Sequence, residues 1–326
     1  MNRVLNYLRN RRDASLLATA LVLLIAAALN PTIPLPRNVY SYILVADISQ
    51  SMNVIDTRLN GIETSRMDYT KFILHRVVAN MPCGTKVSVG LFAGATIAAL
   101  FNPIEVCSNY DAIQDTIDHL EWRSAWSGNS RLRESLFMLS RVIRSFPEPA
   151  QVVYFTDGEE APKLGVFNTK DLTNFQGGNG WLFVGIGSEK GNAIPKLDEK
   201  NQLIGYWSVD SFAVQPGIAQ ISEANIGVRN DEVASGTGDR YISTLQEEYL
   251  IDLSKEVSGD YVRGDNLQSI LTAMKRQKPA SQNIAAYNIQ WLLALSAAII
   301  FLLAYVTKDT FRNLKKGLFK KIKIRS

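Results

Sequence analysis

Residues 45 to 54 read VADISQSMNV: an apolar run breaks off at Asp47, and two hydroxyls follow at alternate positions, Ser49 and Ser51. A second apolar run, QVVYFTDG, breaks off in the same way at Asp157. Carboxylate and hydroxyl oxygens are the hard donors that Mg²⁺ or Ca²⁺ prefers. The serine hydroxyls bring no charge, so a cation held by such a set stays electrophilic toward a carboxylate supplied from outside. The chemistry this spacing points to is therefore a divalent metal that a partner protein completes.

Such donors need a frame that brings distant loops together. VYSYILVAD, KVSVGLF, QVVYFTDG and GWLFVGIGS are continuous apolar runs, the pattern of strands buried on both faces. Between them lie helical patterns. Residues 65 to 80 place Met67, Phe72, Ile73 and Val77 at helical spacing, with Ser65 positioned to cap the start and Pro82 beyond the end. DAIQDTIDHLEW, SRLRESLFMLSRVIRSF and LQEEYLIDLSKEVSG are further helices, and DYVR is a late short strand. Alternating strands and helices predict an α/β, doubly wound, mostly parallel sheet, with ligands in the crevice outside the strands' carboxyl ends. Asp47 and Asp157 leave two such ends. Residues 189 to 242 lack periodicity and read as an insertion near that edge.

DISQS and YFTDGEE resemble the Asp-x-Ser-x-Ser and Thr-Asp-Gly elements of von Willebrand factor A domains. The resemblance covers residues 38 to 276. It implies a Rossmann-like fold and a metal-ion-dependent adhesion site, with Asp47, Ser49, Ser51 and Asp157 filling four of its five positions. WSGNSRLRESL offers Ser130 for the fifth, where the family more often carries threonine. By resemblance the three serines coordinate directly or nearly so and the aspartates partly through water, the sixth position going to a partner Asp or Glu. The two-anchor layout and GIGSEKGNAIP resemble bacterial proteins encoded near MoxR-type ATPases. MPCGTKVSVGLF, EVCSNYD and WSGNS resemble the member encoded with methanol dehydrogenase maturation genes. That likeness implies a role in assembling, or delivering calcium to, a periplasmic quinone-dependent dehydrogenase, with other such domains or MoxR-associated proteins as partners.

The two ends carry the remaining signals. Residues 14 to 29 are uncharged and follow RNRR, and residues 284 to 306 are apolar, with Trp291 and Tyr305 as interfacial anchors. Both predict membrane segments, 14–35 as a signal anchor and 284–306 as a transmembrane helix. A cleaved signal peptide is the rival reading of the first, whose apolar core covers about 24 Å at the helical rise. Residues 1 to 13 carry net +3 and residues 308 to 326 net +7; subtracting these from the chain's +4 leaves residues 14 to 307 at −6. Basic tails on both sides predict cytoplasmic termini at a bacterial inner membrane and a domain in the periplasm. The tails suit anionic headgroups, and nucleic-acid binding has no support.

Cys83 and Cys107 flank two strand patterns turning at Ala95, so a hairpin would set them face to face. A disulfide and two separate buried thiols are both open. His75 and His119 read as ordinary helix residues, and neither falls in HExxH. GIGS at 185 to 188 reads as a tight turn, and Trp122 and Trp126 either contact a partner or pack beneath the loop. With no Gly-x-Ser-x-Gly elbow or Walker A loop, the expectation is a binding module. A metal-dependent hydrolase using Asp47 or Asp157 as base, and a passive scaffold of an ATPase-linked complex, are the alternatives.

Overall fold

The computed structural model describes residues 12–127, 130–161, 163–165, 169–211 and 233–305. Residues 1–11 and 306–326 of the expected tails, Gly128 and Asn129, and residues 212–232 of the expected insertion lie outside these. The chain divides into two compact units, one from residues 1–37 with 282–326, the other from Asn38–Ser281.

The flanking unit begins with helix α1 (Arg12–Ala28) and strand β1 (Thr32–Val39). The larger unit then supplies β2 (Ser41–Asp47), β3 (Ile55–Leu59), β4 (Ile62–Ser65), α2 (Arg66–Ala79), β5 (Lys86–Ala93), β6 (Thr96–Ala99) and β7 (Ile104–Glu105). It continues through α3 (Tyr110–Asp118), α4 (Leu132–Ser145), β8 (Gln151–Thr156) and β9 (Leu182–Gly185). Four short strands follow, β10 (Asn192–Ala193), β11 (Pro195–Leu197), β12 (Leu203–Tyr206) and β13 (Ile242–Ser243), then α5 (Glu247–Glu256), β14 (Asp260–Arg263) and α6 (Leu267–Arg276). Strand β15 (Ser281–Asn288) and α7 (Gln290–Tyr305) return to the flanking unit.

The central sheet runs β14-β9-β8-β2-β5-β6, with β7 also on β5. The first five are parallel and the β6 and β7 segments antiparallel. Every residue of β2 is buried, and alternate side chains enter two cores. Tyr42, Leu44 and Ala46 meet Leu74, Val77 and Val78 of α2, Ile113 and Ile117 of α3, and Ile270 of α6. Ile43 and Val45 face Leu132, Leu136 and Leu139 of α4 and Leu250 and Leu253 of α5. Helices on both faces are what unbroken apolar strands require. From β2 the chain builds outward to β5, then crosses back to β8 on the other side, so the winding reverses at β2. That reversal opens the crevice between the ends of β2 and β8.

Local signals explain the boundaries. Ser65 caps α2 by accepting the Asp68 N–H at 3.0 Å, and α3, α4 and α5 begin within about two residues of their apolar patterns, the usual uncertainty of helix ends. The hairpin after α2 carries two registers: β5–β6 partners sum to 189, as Gly90↔Ala99, and β5–β7 partners sum to 191, as Lys86↔Glu105. Beyond its open end Cys83 and Cys107 form a disulfide with Cα atoms 5.2 Å apart.

The ends differ from expectation. Residues 32–35, expected at the end of the signal anchor, belong instead to β1, which pairs with β15. Residues 281–288, expected in part within a helix, are that partner strand. Asn288 accepts the Gln290 N–H at 2.8 Å and marks where the helix starts. Helices α1 and α7, of 17 and 16 residues, pack on one another. Among the described residues no helix is long and apolar enough to cross a membrane.

The disulfide closes a loop of sequence separation 24, for which chain entropy gives about 3 kcal/mol. Exchanging both cysteines for serine is expected to lower unfolding free energy by about that amount, read from urea unfolding, and reductant should have the same effect on the wild type and none on the variant.

Candidate metal centre

The site grows from the two strand ends. Asp47 closes β2, and a single 3₁₀ turn, Gln50–Asn53, follows at once. That turn brings the alternate serines together, with Ser49 Oγ 3.0 Å from Ser51 Oγ. Asp47 Oδ1 accepts the Ser49 N–H at 2.9 Å, and Oδ2 accepts the Thr156 hydroxyl at 2.6 Å, a bond that ties the end of β2 to the end of β8. Asp157 follows Thr156. Its Oδ1 accepts the Glu159 N–H at 2.9 Å and its Oδ2 accepts Arg66 Nη1 at 2.7 Å. Gly158 lets the chain turn here: its φ is +74°, and an added Cβ would lie 2.7 Å from Leu250.

Ser130 is held by its backbone on both sides. Its carbonyl accepts the Ala161 N–H at 2.7 Å, four residues past Asp157, and the neighbouring Arg131 N–H donates at 2.8 Å to Gly94, at the end of β5. Its hydroxyl is buried and finds no hydrogen-bond partner among the described residues. A buried orphan hydroxyl is uncommon and calls for an explanation. The five expected residues, Asp47, Ser49, Ser51, Ser130 and Asp157, are all buried around the crevice at the winding reversal.

Charge gives a second reason for a ligand. The buried charged residues described are Asp47, Asp157, Glu159, Glu160 and Arg66, and the Asp56 side chain is only 6% exposed, so five carboxylates stand against one guanidinium. Burial, and then repulsion from Asp157, push Asp47 up to about 7, against the pull of hydrogen bonds from Thr156 and Ser49. Burial and Asp157 likewise push Glu159 up to about 7. Burial also raises Glu160, which accepts the Tyr249 hydroxyl at 2.7 Å and the Arg133 N–H at 2.9 Å. Hard oxygens, an unpartnered hydroxyl and surplus negative charge fit a divalent cation.

Several residues here carry no motif. Arg66, the first residue of α2, is wholly buried and reaches Asp157, Asp56 and Ser243. Burial alone would lower its pKa, but the bonds to Asp56 and the charges of Asp157, Asp56 and Glu159 hold it above the usual value. One sequence signal was available: a cation at a helix N-terminus opposes the macrodipole, so it needs a specific partner. Thr156 and Glu159, inside YFTDGEE, hold Asp47 and Asp157 through the Thr156 hydroxyl and the Glu159 N–H. The other singled-out residues stand apart. His75 Nε2 lies 2.9 Å from Asp118 and His119 bonds Asp115, within or between helices. Trp122 donates to Asn201 at 2.9 Å, whereas half-exposed Trp126 donates to Thr96 at 2.8 Å. In GIGS, expected as a tight turn, Gly185 ends β9 and the chain bends at Gly187, whose φ of +120° lies against Arg66. From the described part of residues 189–242, Ile194, Trp207 and Tyr241 cluster with Val54, three residues past Ser51.

Residues 42–160 match the von Willebrand factor type A domain. Among solved structures, an aerotolerance-related membrane protein from Bacteroides fragilis and BatB from Bacteroides thetaiotaomicron each superpose with a TM-score of 0.50 at 19% identity, over 73% of this chain and 98% of theirs. The larger unit has the von Willebrand factor A fold. By sequence, a UPF0353 protein of Mycobacterium ulcerans is 24% identical over 268 residues, covering 77% of this chain and 71% of its own. Another from Mycobacterium marinum is 28% identical over 164 residues, 48% of this chain and 46% of its own. The chain thus spans less than half the length of the second relative. The matched stretch ends at Glu160 and takes in all five candidate ligands.

Raised carboxylates set the sign of a pH effect. Asp47 and Glu159 titrate near 7 when folded and near 4 when unfolded. Without metal the folded state binds more protons between those values, so their favourable contribution is complete below pH 4 and lost as pH rises through 7. The melting temperature of chelator-treated protein is expected to fall from pH 5 to pH 8, and Asp47→Asn should flatten that slope in a fluorimetric melt.

Proposed function

We propose that the von Willebrand factor A domain of this chain binds a partner protein through a divalent cation. Asp47, Ser49, Ser51, Ser130 and Asp157 would hold the ion, Mg²⁺ or Ca²⁺, and an Asp or Glu of the partner would take the remaining position. The observation that carries this reading is the buried, unpartnered Ser130 hydroxyl, on backbone bonded to Ala161, four residues past Asp157. When bound, the ion supplies electrostatic attraction for an outside carboxylate; the chain's own part is to keep five oxygens converged. Asp47 and Thr156 lock two strand ends together, the 3₁₀ turn presents Ser49 and Ser51, and the Ala161 and Gly94 bonds seat Ser130.

The domain acts as a binding module in this proposal. Both histidines are engaged with α3 residues, Asp118 and Asp115, so the site rests on oxygen donors without an imidazole base. Placement at a bacterial inner membrane, with the domain in the periplasm and both termini cytoplasmic, is supported by the basic ends and by the Cys83–Cys107 disulfide, which suits an oxidising compartment. The finer reading takes the partner to be a quinone-dependent alcohol dehydrogenase under assembly or calcium loading. Its support is the sequence resemblance of the segments around Cys83, Cys107 and Ser130.

The test is calorimetric titration of Mg²⁺ and of Ca²⁺ into the purified full chain. Saturable binding is expected in the wild type, absent in Asp47→Ala and about tenfold weaker in Ser130→Ala, the scale of one lost ligand near 1.4 kcal/mol. Ser130→Thr should bind as wild type. Capture of a candidate partner should then depend on the ion, and capture indifferent to chelator would favour a passive scaffold.

A further inference from the structure

Arg66 is the largest wholly buried side chain described, and its surroundings are built for it. A guanidinium has five N–H donors in a fixed fork, and five contacts match them. Nε donates to Asp56 Oδ1 at 3.0 Å; Nη2 donates to Asp56 Oδ2 at 2.7 Å and to the Ser243 carbonyl at 3.1 Å. Nη1 donates to Asp157 Oδ2 at 2.7 Å and to the Ser243 hydroxyl at 2.8 Å. The backbone opposite has been cleared: a Cβ on Gly187 would stand 2.6 Å from Arg66 Nε. Asp56, which orients the fork, is itself oriented by the Ser188 N–H at 3.0 Å.

We infer that Arg66 is the positioning residue of the metal site, clamping Asp157 so that its carboxylate is already aimed when a cation arrives; this rests on the metal-binding reading above. Asp157 is gripped twice, by Arg66 at Oδ2 and by the Glu159 N–H at Oδ1. Residues that orient a ligand from behind often matter nearly as much as the ligand. The pairing also sets charge. Arg66 faces Asp157 and Asp56, whereas Asp47 is held by the neutral Ser49 N–H and Thr156 hydroxyl. Lysine would keep the charge but not the fork, because its ammonium is a single point of donation.

The experiment titrates Mn²⁺ alone into the full chain, wild type and Arg66→Lys, by calorimetry. The lysine variant is expected to bind roughly 10–100-fold more weakly while keeping the wild-type circular dichroism spectrum. In an Asp157→Asn background the same exchange should add no further loss. A folded Arg66→Lys protein with a Kd within about twofold of wild type, or an undiminished further loss in the Asp157→Asn background, overturns the inference. A structural role alone would lower the melting temperature and leave the Kd of the folded protein unchanged. If Arg66→Lys does not fold, Asp56→Asn retains the arginine and loosens its orientation; weaker Mn²⁺ binding supports the clamp, and an unchanged Kd overturns it. A wild type that binds no Mn²⁺ removes the metal reading itself, a result distinct from equal binding by wild type and variant.

Discussion

A guanidinium without access to water is stable only where carboxylates face it, and Arg66 has two, Asp56 and Asp157, each at 2.7 Å. Desolvating such ions is expensive, and removing one partner from a buried pair leaves the other uncompensated. The group therefore constrains everything around it. Asp56 must be delivered by β3, Asp157 by the end of β8, Ser243 by β13, and Gly187 must stay without a side chain. Four segments separated in sequence meet at one point, and the chain between them is shaped accordingly.

This explains why the short strands from residue 192 to residue 243 exist where they do. β10 pairs with β13, Asn192 opposite Ser243, and that pairing sets the serine under the guanidinium. Leu245 donates to the Ser188 carbonyl and Gln246 to the Asp157 carbonyl, so the return from this region to α5 is stitched to the same strand ends. The metal centre and the small pairings beside it thus share a support, although they look like separate features along the chain.

The parts legible in the sequence are those governed by local or periodic rules. β2 and β8 announce themselves because both faces of the sheet are covered, which leaves apolar runs that stop where the strand reaches the crevice. Asp47 and Asp157 stand out because a carboxylate ends each run. α2 is bounded by its serine cap and its apolar stripe. Arg66 is hidden because its partners lie 10, 91 and 177 positions away, and no spacing rule joins them. The same reason hides the pairing of β1 with β15, whose residues 32–35 and 284–288 lie within the stretches read as membrane segments. The Cys83–Cys107 pair lies between these cases: its symmetry about the turn is visible, whereas the register change between β6 and β7 is not.

The ribbon of β1 and β15 also orders events during synthesis. β1 leaves the ribosome roughly 240 residues before its partner, which at translation rates of about 5–20 residues per second is a wait of tens of seconds at the slow end. In that interval the whole of the larger unit emerges and has time to fold, while residues 32–39 remain a strand without its neighbour. Pro34 and Pro36 lie within that stretch, and residues without an N–H are poor templates for pairing with another chain. The two prolines leave the waiting strand with two fewer backbone donors to offer another chain.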